Sequence, residues 1–150
     1  MRRIVYTRPD GGLSIVIPVI NTLPRLEDIS EAAAEQRAWD KLPLDAINPR
    51  FVTVAEIPTD RTFRDALKSD LTHDMVKCRE IHKNKLRALR PLKFEPLERA
   101  QRTALAVGDG TTALQVDMKL QAVRDVTSDP RIAAATTPEE LKGVIPAVLA

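Results

Sequence analysis

Residues 71–90, LTHDMVKCREIHKNKLRALR, decide how this chain folds. Leu71, Met75, Cys78, His82, Leu86 and Leu89 recur at spacings of four, three, four, four and three. That is the period of one apolar row along an α-helix. The row predicts a helix running to about Arg90, ended or kinked at Pro91. A second helix is expected over Glu95 to Val107, with Leu97, Ala100, Ala104 and Val107 on one face. Gly108-Asp109-Gly110 breaks it, and a third helix covers Thr112 to Val126, with Ala113, Val116, Leu120 and Val123 in line. So short a link folds the second and third helices into an antiparallel helical hairpin. Further on, Thr137-Pro138-Glu139-Glu140 is a capping box with proline at the first helical position. It starts a short helix that runs to Lys142 and stops near Gly143. Pro146 opposes a longer C-terminal helix.

The N-terminus reads differently. Arg2 to Arg8 and Leu13 to Val19 are rich in β-formers, and Pro9-Asp10-Gly11-Gly12 lies between them. Proline presets φ for a turn and glycine tolerates positive φ, so this is a hairpin. Two strands alone are marginal in water, so the hairpin must pack on something else. Pro18 ends the second strand or places it at an edge. Glu27 to Leu42 reads as an acidic helix, with three successive alanines and carboxylates toward its N-terminus. Trp39, near its end, reads as a packing anchor. Phe51 to Val54 suggests a short strand, and Asp60 a cap for a short helix reaching Lys68. The expected fold class is α+β, mainly helical, with an N-terminal β-hairpin and a C-terminal antiparallel helical hairpin. The expected division is 1–57, hairpin arm with acidic helix, and 58–150, helical domain.

Bulk composition narrows the classes of function. In a chain of 150 residues, 43% are hydrophobic and only 3% aromatic. A core must come from Leu, Ile, Val and Ala, and few rings are present on which bases could stack. Twenty-three basic residues against 21 acidic ones leave a net charge of +2, too balanced to imply a nucleic-acid or membrane partner. One cysteine, Cys78, makes no internal disulfide, which fits a cytoplasmic origin. No apolar run has the length of a signal peptide core or a membrane span.

Charge is nonetheless segregated. Leu26 to Asp45 holds six acids and two bases; Val76 to Lys93 holds seven bases and one acid. The expectation is two solvated faces that attract each other, within the chain or between copies. Arg79, Lys83, Arg87 and Arg90 form a basic stripe beside the apolar row. One reading is a phosphate-tracking helix; the balanced charge and missing aromatics favour a flank that faces a protein partner. Asp74, Cys78 and His82 share a face at i, i+4, i+8. A zinc site needs about four ligands, and the only other histidine, His73, points elsewhere on the helix. A thiol nucleophile needs an oriented base and a pocket. Cys78 and His82 are therefore expected to fill the apolar row. Gly108 to Thr112 lacks the strand and the Gly-Lys-Ser/Thr ending of a phosphate loop. No catalytic residue, metal ligand or cofactor site is expected.

Two stretches carry a family resemblance. Asp60 to Arg90, DRTFRDALKSDLTHDMVKCREIHKNKLRALR, resembles a phage-borne pattern in which R-T-F-R-(D/N)-A precedes a basic helix of the form D-M-x-K-x-x-E-I-H-(K/R). Gln121 to Pro130, QAVRDVTSDP, resembles the Q-A-(L/V)-R-D-(I/V)-T ending of tail-assembly proteins. The opening RIVYTRPDGGLSIVIP is similar to openings of phage proteins. The family is that of small tail-fibre and tail-assembly proteins of tailed bacteriophages and prophages. The resemblance implies a non-enzymatic structural or assembly protein of the tail region, located in the virion and assembled in the bacterial host cytoplasm. Its implied partners are other phage virion proteins, as a homo- or hetero-oligomer, with neither nucleic acid nor membrane. The hairpin and acidic helix go beyond the short assembly-chaperone type and point to a virion component.

The residues expected to bind partners are Ile4, Tyr6, Ile15 and Ile17 on the hairpin, through strand addition, and Arg79, Lys83, Arg87 and Arg90 on the basic stripe, through steering of acidic partners. The alternative is a small nucleic-acid-binding or regulatory phage protein using that stripe. An enzyme or metal site at Cys78 and His82 comes third.

Overall fold

A computed structural model describes residues 1–20 and 29–149. The chain is α+β and mainly helical, as expected, and it divides into two compact units, Met1–Asp74 and Met75–Ala150. The boundary lies beyond residue 57. The segment 58–74 belongs with the sheet, because the Arg50 side chain bonds to its backbone at Ser69.

In the first unit, β1 (Arg3–Thr7), β2 (Leu13–Val16) and β3 (Ile47–Val52) form an antiparallel sheet in the order β2-β1-β3. The expected hairpin is present. Gly11, at φ +78°, closes its turn, and the Asp10 carboxylate accepts from the Gly12 N–H at 2.8 Å. The hairpin is not free, because β3 completes a third strand. That strand begins four residues before the stretch expected from sequence and passes through Pro49. Asn48, at φ +50°, accompanies a register shift between Val5 and Thr7. One extra residue is thereby absorbed as a bulge.

Side chains alternate across the sheet. Ile4 pairs with Val16 and Phe51, while Val5 pairs with Ile15 and Arg50. Both Ile4 and Val5 are fully buried, so both faces of the central strand are covered. Helix α1 (Glu31–Asp40) lies on the Ile4 face, where Trp39 stacks on Phe51 with ring centroids 4.9 Å apart. Trp39 is thus a packing residue. The Ser30 hydroxyl caps α1 by accepting from the Ala33 N–H. The helix therefore starts at Glu31; the expected start at Glu27 and Asp28 lies outside the described residues. On the Val5 face, the Arg50 guanidinium donates to the Ser69 carbonyl at 3.0 and 3.2 Å, which holds the 54–74 segment over the sheet. That segment contains two 3-10 turns, Val54–Glu56 and Arg64–Ala66, in place of a helix reaching Lys68. Asp60 accepts from the Thr62 N–H, capping no helix.

Leu71 lies in a tight loop at φ +66°. Lys68 and Thr72 close that loop by a backbone hydrogen bond of 2.9 Å, and Leu67 pairs with His73. Leu71 therefore does not start the apolar row. The helix of the second unit, α2, runs Met75–Ala106 without interruption through Pro91 and Pro96. Expectation placed two helices here. Both prolines are exposed, so the missing N–H groups cost less than they would in a packed face.

Along one row of α2, Cys78, His82, Leu86 and Ala104 are buried and Arg90, Lys93, Leu97 and Gln101 are half-buried. In chain order they follow spacings of four, four, four, three, four, four and three, and this row crosses both prolines. Against it packs α3 (Gly110–Arg124), with Ala113, Val116, Leu120 and Val123 buried. The antiparallel helical hairpin is present, turned by Gly108 at φ +73°. After a 3-10 turn at Asp125–Ser128 come α4 (Pro130–Ala134) and α5 (Pro138–Lys142). The capping box is formed: the Glu140 N–H donates to the Thr137 hydroxyl at 3.2 Å, and the Glu140 carboxylate accepts from Thr136 and Thr137 N–H groups. Those bonds hold the Glu140 carboxyl below the usual glutamate value. Ile132, Leu141 and Val144 complete this core.

Candidate functional site

The basic stripe on α2 splits into two pairs. Arg79 donates to the Ala135 carbonyl at 3.0 Å. Arg90 donates through Nη2 to the Arg124 carbonyl and, at 3.1 Å, to the Thr127 hydroxyl. Both arginines thus tie α2 to the segments following α3. Both Nε atoms are buried without a partner. These two residues tie elements of the second unit together through neutral acceptors. Lys83 is half-buried and Arg87 exposed, and both bond to side chains within α2. Lys83 pairs with Glu80 at 3.5 Å, and Arg87 donates to the Asn84 side chain at 2.6 Å.

Cys78 and His82 lie in the apolar row. Cys78 is fully buried, and the His82 Nε2–H donates to the Val144 carbonyl at 2.9 Å. Asp74 precedes the helix and His73 belongs to the Leu67 pairing, so neither joins them on α2. Among the described residues no cluster of His, Cys, Asp and Glu could hold a metal ion. At the Gly108–Thr112 turn, the Asp109 carboxylate caps α3, accepting from the Thr112 N–H and hydroxyl. The capping carboxylate therefore stands at the helix start that a phosphate would need. These bonds hold its carboxyl below the ordinary aspartate value.

The Glu35 carboxyl of α1 is engaged within its own unit. That carboxylate is buried, and Arg2 donates to it through Nε and Nη2 at 3.0 and 2.7 Å and through its backbone N–H. Side-chain and backbone bonds from Arg2 hold the Glu35 carboxyl below its ordinary value. The same guanidinium lies 4.3 Å from the centre of the Phe51 ring.

Of the hairpin residues, Ile4 is inaccessible because it is the centre of the first unit's core. Tyr6 is half-buried on the same strand. Ile15 and Ile17 are exposed and line a groove of about 590 Å³ between the Val5 face of the sheet and residues 54–67. Leu13, Val54, Ile57 and Leu67 supply further apolar wall. Four arginines, Arg3, Arg8, Arg61 and Arg64, stand around it with two aspartates, Asp60 and Asp65. Sequence reasoning missed these arginines, because two sit on the hairpin and two lie more than fifty positions later. In the second unit a separate groove of about 770 Å³ is lined by Leu97 of α2, Met118 and Ala122 of α3, and Ala147 and Val148, with Lys93 and Lys119 beside them. No helix among the described residues is long and apolar enough to cross a membrane.

Comparison with protein-family models, with curated proteins and with solved structures gives no match in any of the three.

Proposed function

We propose that this chain is a non-enzymatic, tail-associated protein of a tailed bacteriophage or prophage, acting through protein–protein contacts. One observation carries the protein-binding part of this reading. The α2–α3 hairpin presents Leu92, Leu105, Leu114 and Met118 with between 62% and 71% of their surface exposed. Single exposed aliphatic residues are ordinary on a monomer. Met118 also lines an open groove with Leu97, Ala122, Ala147 and Val148, and an exposed apolar groove is the pattern of a surface that another protein covers. The wording of Asp60 to Arg90 and of Gln121 to Pro130 directs the reading to the tail region. The partners are other virion proteins or further copies of the chain, and the location is the virion, assembled in the host cytoplasm.

The contacts divide between the two units. The first offers the open edge of β2 for strand addition. The second offers the hairpin surface, with Lys83 and Arg87 beside it to steer acidic partners. The test is the protein content of purified particles and of tail intermediates from the encoding phage. A virion component is present at a fixed copy number per particle. An assembly factor is missing from particles and co-purifies with tail intermediates. Absence from both refutes the proposal.

A further inference from the structure

The groove of the first unit has the features of a peptide site, and its charge says which peptide. Among the described residues Arg3 and Arg61 have neither a hydrogen bond nor an ion pair through their guanidinium groups. Arg8 and Arg64 are paired only with near neighbours in sequence, Asp10 and Asp65, at 3.2 and 3.4 Å. The turn holds Asp10 through the Gly12 N–H, while Asp65 is largely exposed and its pair is screened by solvent. Four guanidinium groups against Asp60, Asp65 and the Asp10 that pairs with Arg8 leave the groove with an excess of positive charge, carried by Arg3 and Arg61.

Its floor is aliphatic. Leu13, Ile15 and Ile17 alternate along and beyond β2, so their side chains share the face that looks into the groove. Ile17 is 53% exposed. The strand that carries them has β1 on one side and, among the described residues, no strand on the other. The far edge of the sheet is protected differently, by Pro49 and the bulge in β3. The β2 edge carries no bulge, and its proline, Pro18, lies beyond the end of the strand at Val16.

We infer that an acidic, extended segment of a partner protein binds here, pairing its backbone with the β2 edge and laying alternate apolar side chains into the groove. Its carboxylates meet Arg3 and Arg61. A nucleic acid fits less well: no aromatic ring lines the groove for stacking, and its aliphatic floor suits apolar side chains rather than bases. This rests on the protein-binding reading given above, and it names the chemistry of one partner.

The probe is a fluorescein-labelled synthetic peptide alternating glutamate with valine, long enough to span β2. Its anisotropy is measured on the full chain at low and high salt. Controls are the same peptide with lysine for glutamate, and a labelled single-stranded oligonucleotide. The glutamate peptide binds, the lysine peptide does not, and salt weakens binding. Arg61→Glu, at an exposed position, weakens it by about tenfold or more. Arg3→Gln weakens it less, and Ile17→Asp weakens it while leaving the helical ellipticity unchanged. Equal binding to wild type and Arg61→Glu overturns the inference, as does binding of the oligonucleotide in place of the peptide, or no peptide binding. A chain that binds no peptide yet is present in particles ends the inference and leaves the proposed function standing. Absence from particles and intermediates, with peptide binding intact, does the reverse.

Discussion

Replacing Arg90 with alanine separates a structural role of the basic stripe from a docking role. Two bonds are lost, to the Arg124 carbonyl and the Thr127 hydroxyl. A hydrogen bond from a charged donor contributes about 1.5–3 kcal/mol when buried. Two effects reduce that here. The site is only half-buried, so water competes. The buried Nε without a partner already costs stability, and that cost vanishes with the side chain. The net loss is about 1–2 kcal/mol, including packing of the aliphatic stem. Arg79→Ala removes one bond and the same kind of orphaned Nε, so it costs about 1 kcal/mol. Lys83→Ala and Arg87→Ala remove exposed pairs and cost less than about 0.5 kcal/mol. Urea unfolding followed by helical ellipticity reads the second unit, which holds α2 to α5. Trp39 fluorescence reads the first. The expected order of destabilisation is Arg90→Ala, then Arg79→Ala, then the other two near zero. Four variants of equal stability would refute the assignment of Arg79 and Arg90 as internal clamps.

Three further predictions follow from particular contacts. The Glu35 carboxyl lies below its ordinary value of 4.5 because Arg2 donates to it. The stability it contributes is therefore complete above the unfolded value and is lost as pH falls through the lower folded value. Glu35→Gln should flatten the acid limb of a stability–pH curve read by Trp39 fluorescence; an unchanged limb would count against the pair. Pro91→Ala restores an N–H to the exposed side of α2 and should stabilise the chain by about 1–3 kcal/mol with unchanged helix content. A rise in ellipticity would instead mean that α2 is broken at Pro91. Cys78 is fully buried, so its thiol should react with an aromatic disulfide reagent only as fast as the second unit opens. Rapid labelling of the native protein would contradict that burial.

Much of the second unit was legible in the sequence, and the reason is locality. The 3.6-residue period of Ala113, Val116, Leu120 and Val123 needs no knowledge of its partner. The Thr137–Glu140 capping box is written in adjacent residues, and so is the Pro9–Gly12 turn. Where local rules and distant packing disagreed, packing prevailed. Pro91 and Pro96 signal helix ends, yet the shielded row continues through Arg90, Lys93 and Leu97 toward α3, and a continuous helix keeps that row together. Asn48 and Pro49 disguised β3, which exists because β1 offers an edge.

The sequence by itself determined the fold class, the two hairpins and the membership of Cys78 and His82 in an apolar row. Each follows from spacing within a few turns of chain or from a turn's own residues. Only the tertiary structure decided which charges are free. Arg79 and Arg90 look the same as Lys83 and Arg87 along the helix, but carbonyls from residues far along the chain claim the first pair. Arg3, Arg8, Arg61 and Arg64 look scattered until the sheet and the 54–67 segment bring them around one groove. A side chain's role depends on what folds against it, and that information lies in residues distant in sequence.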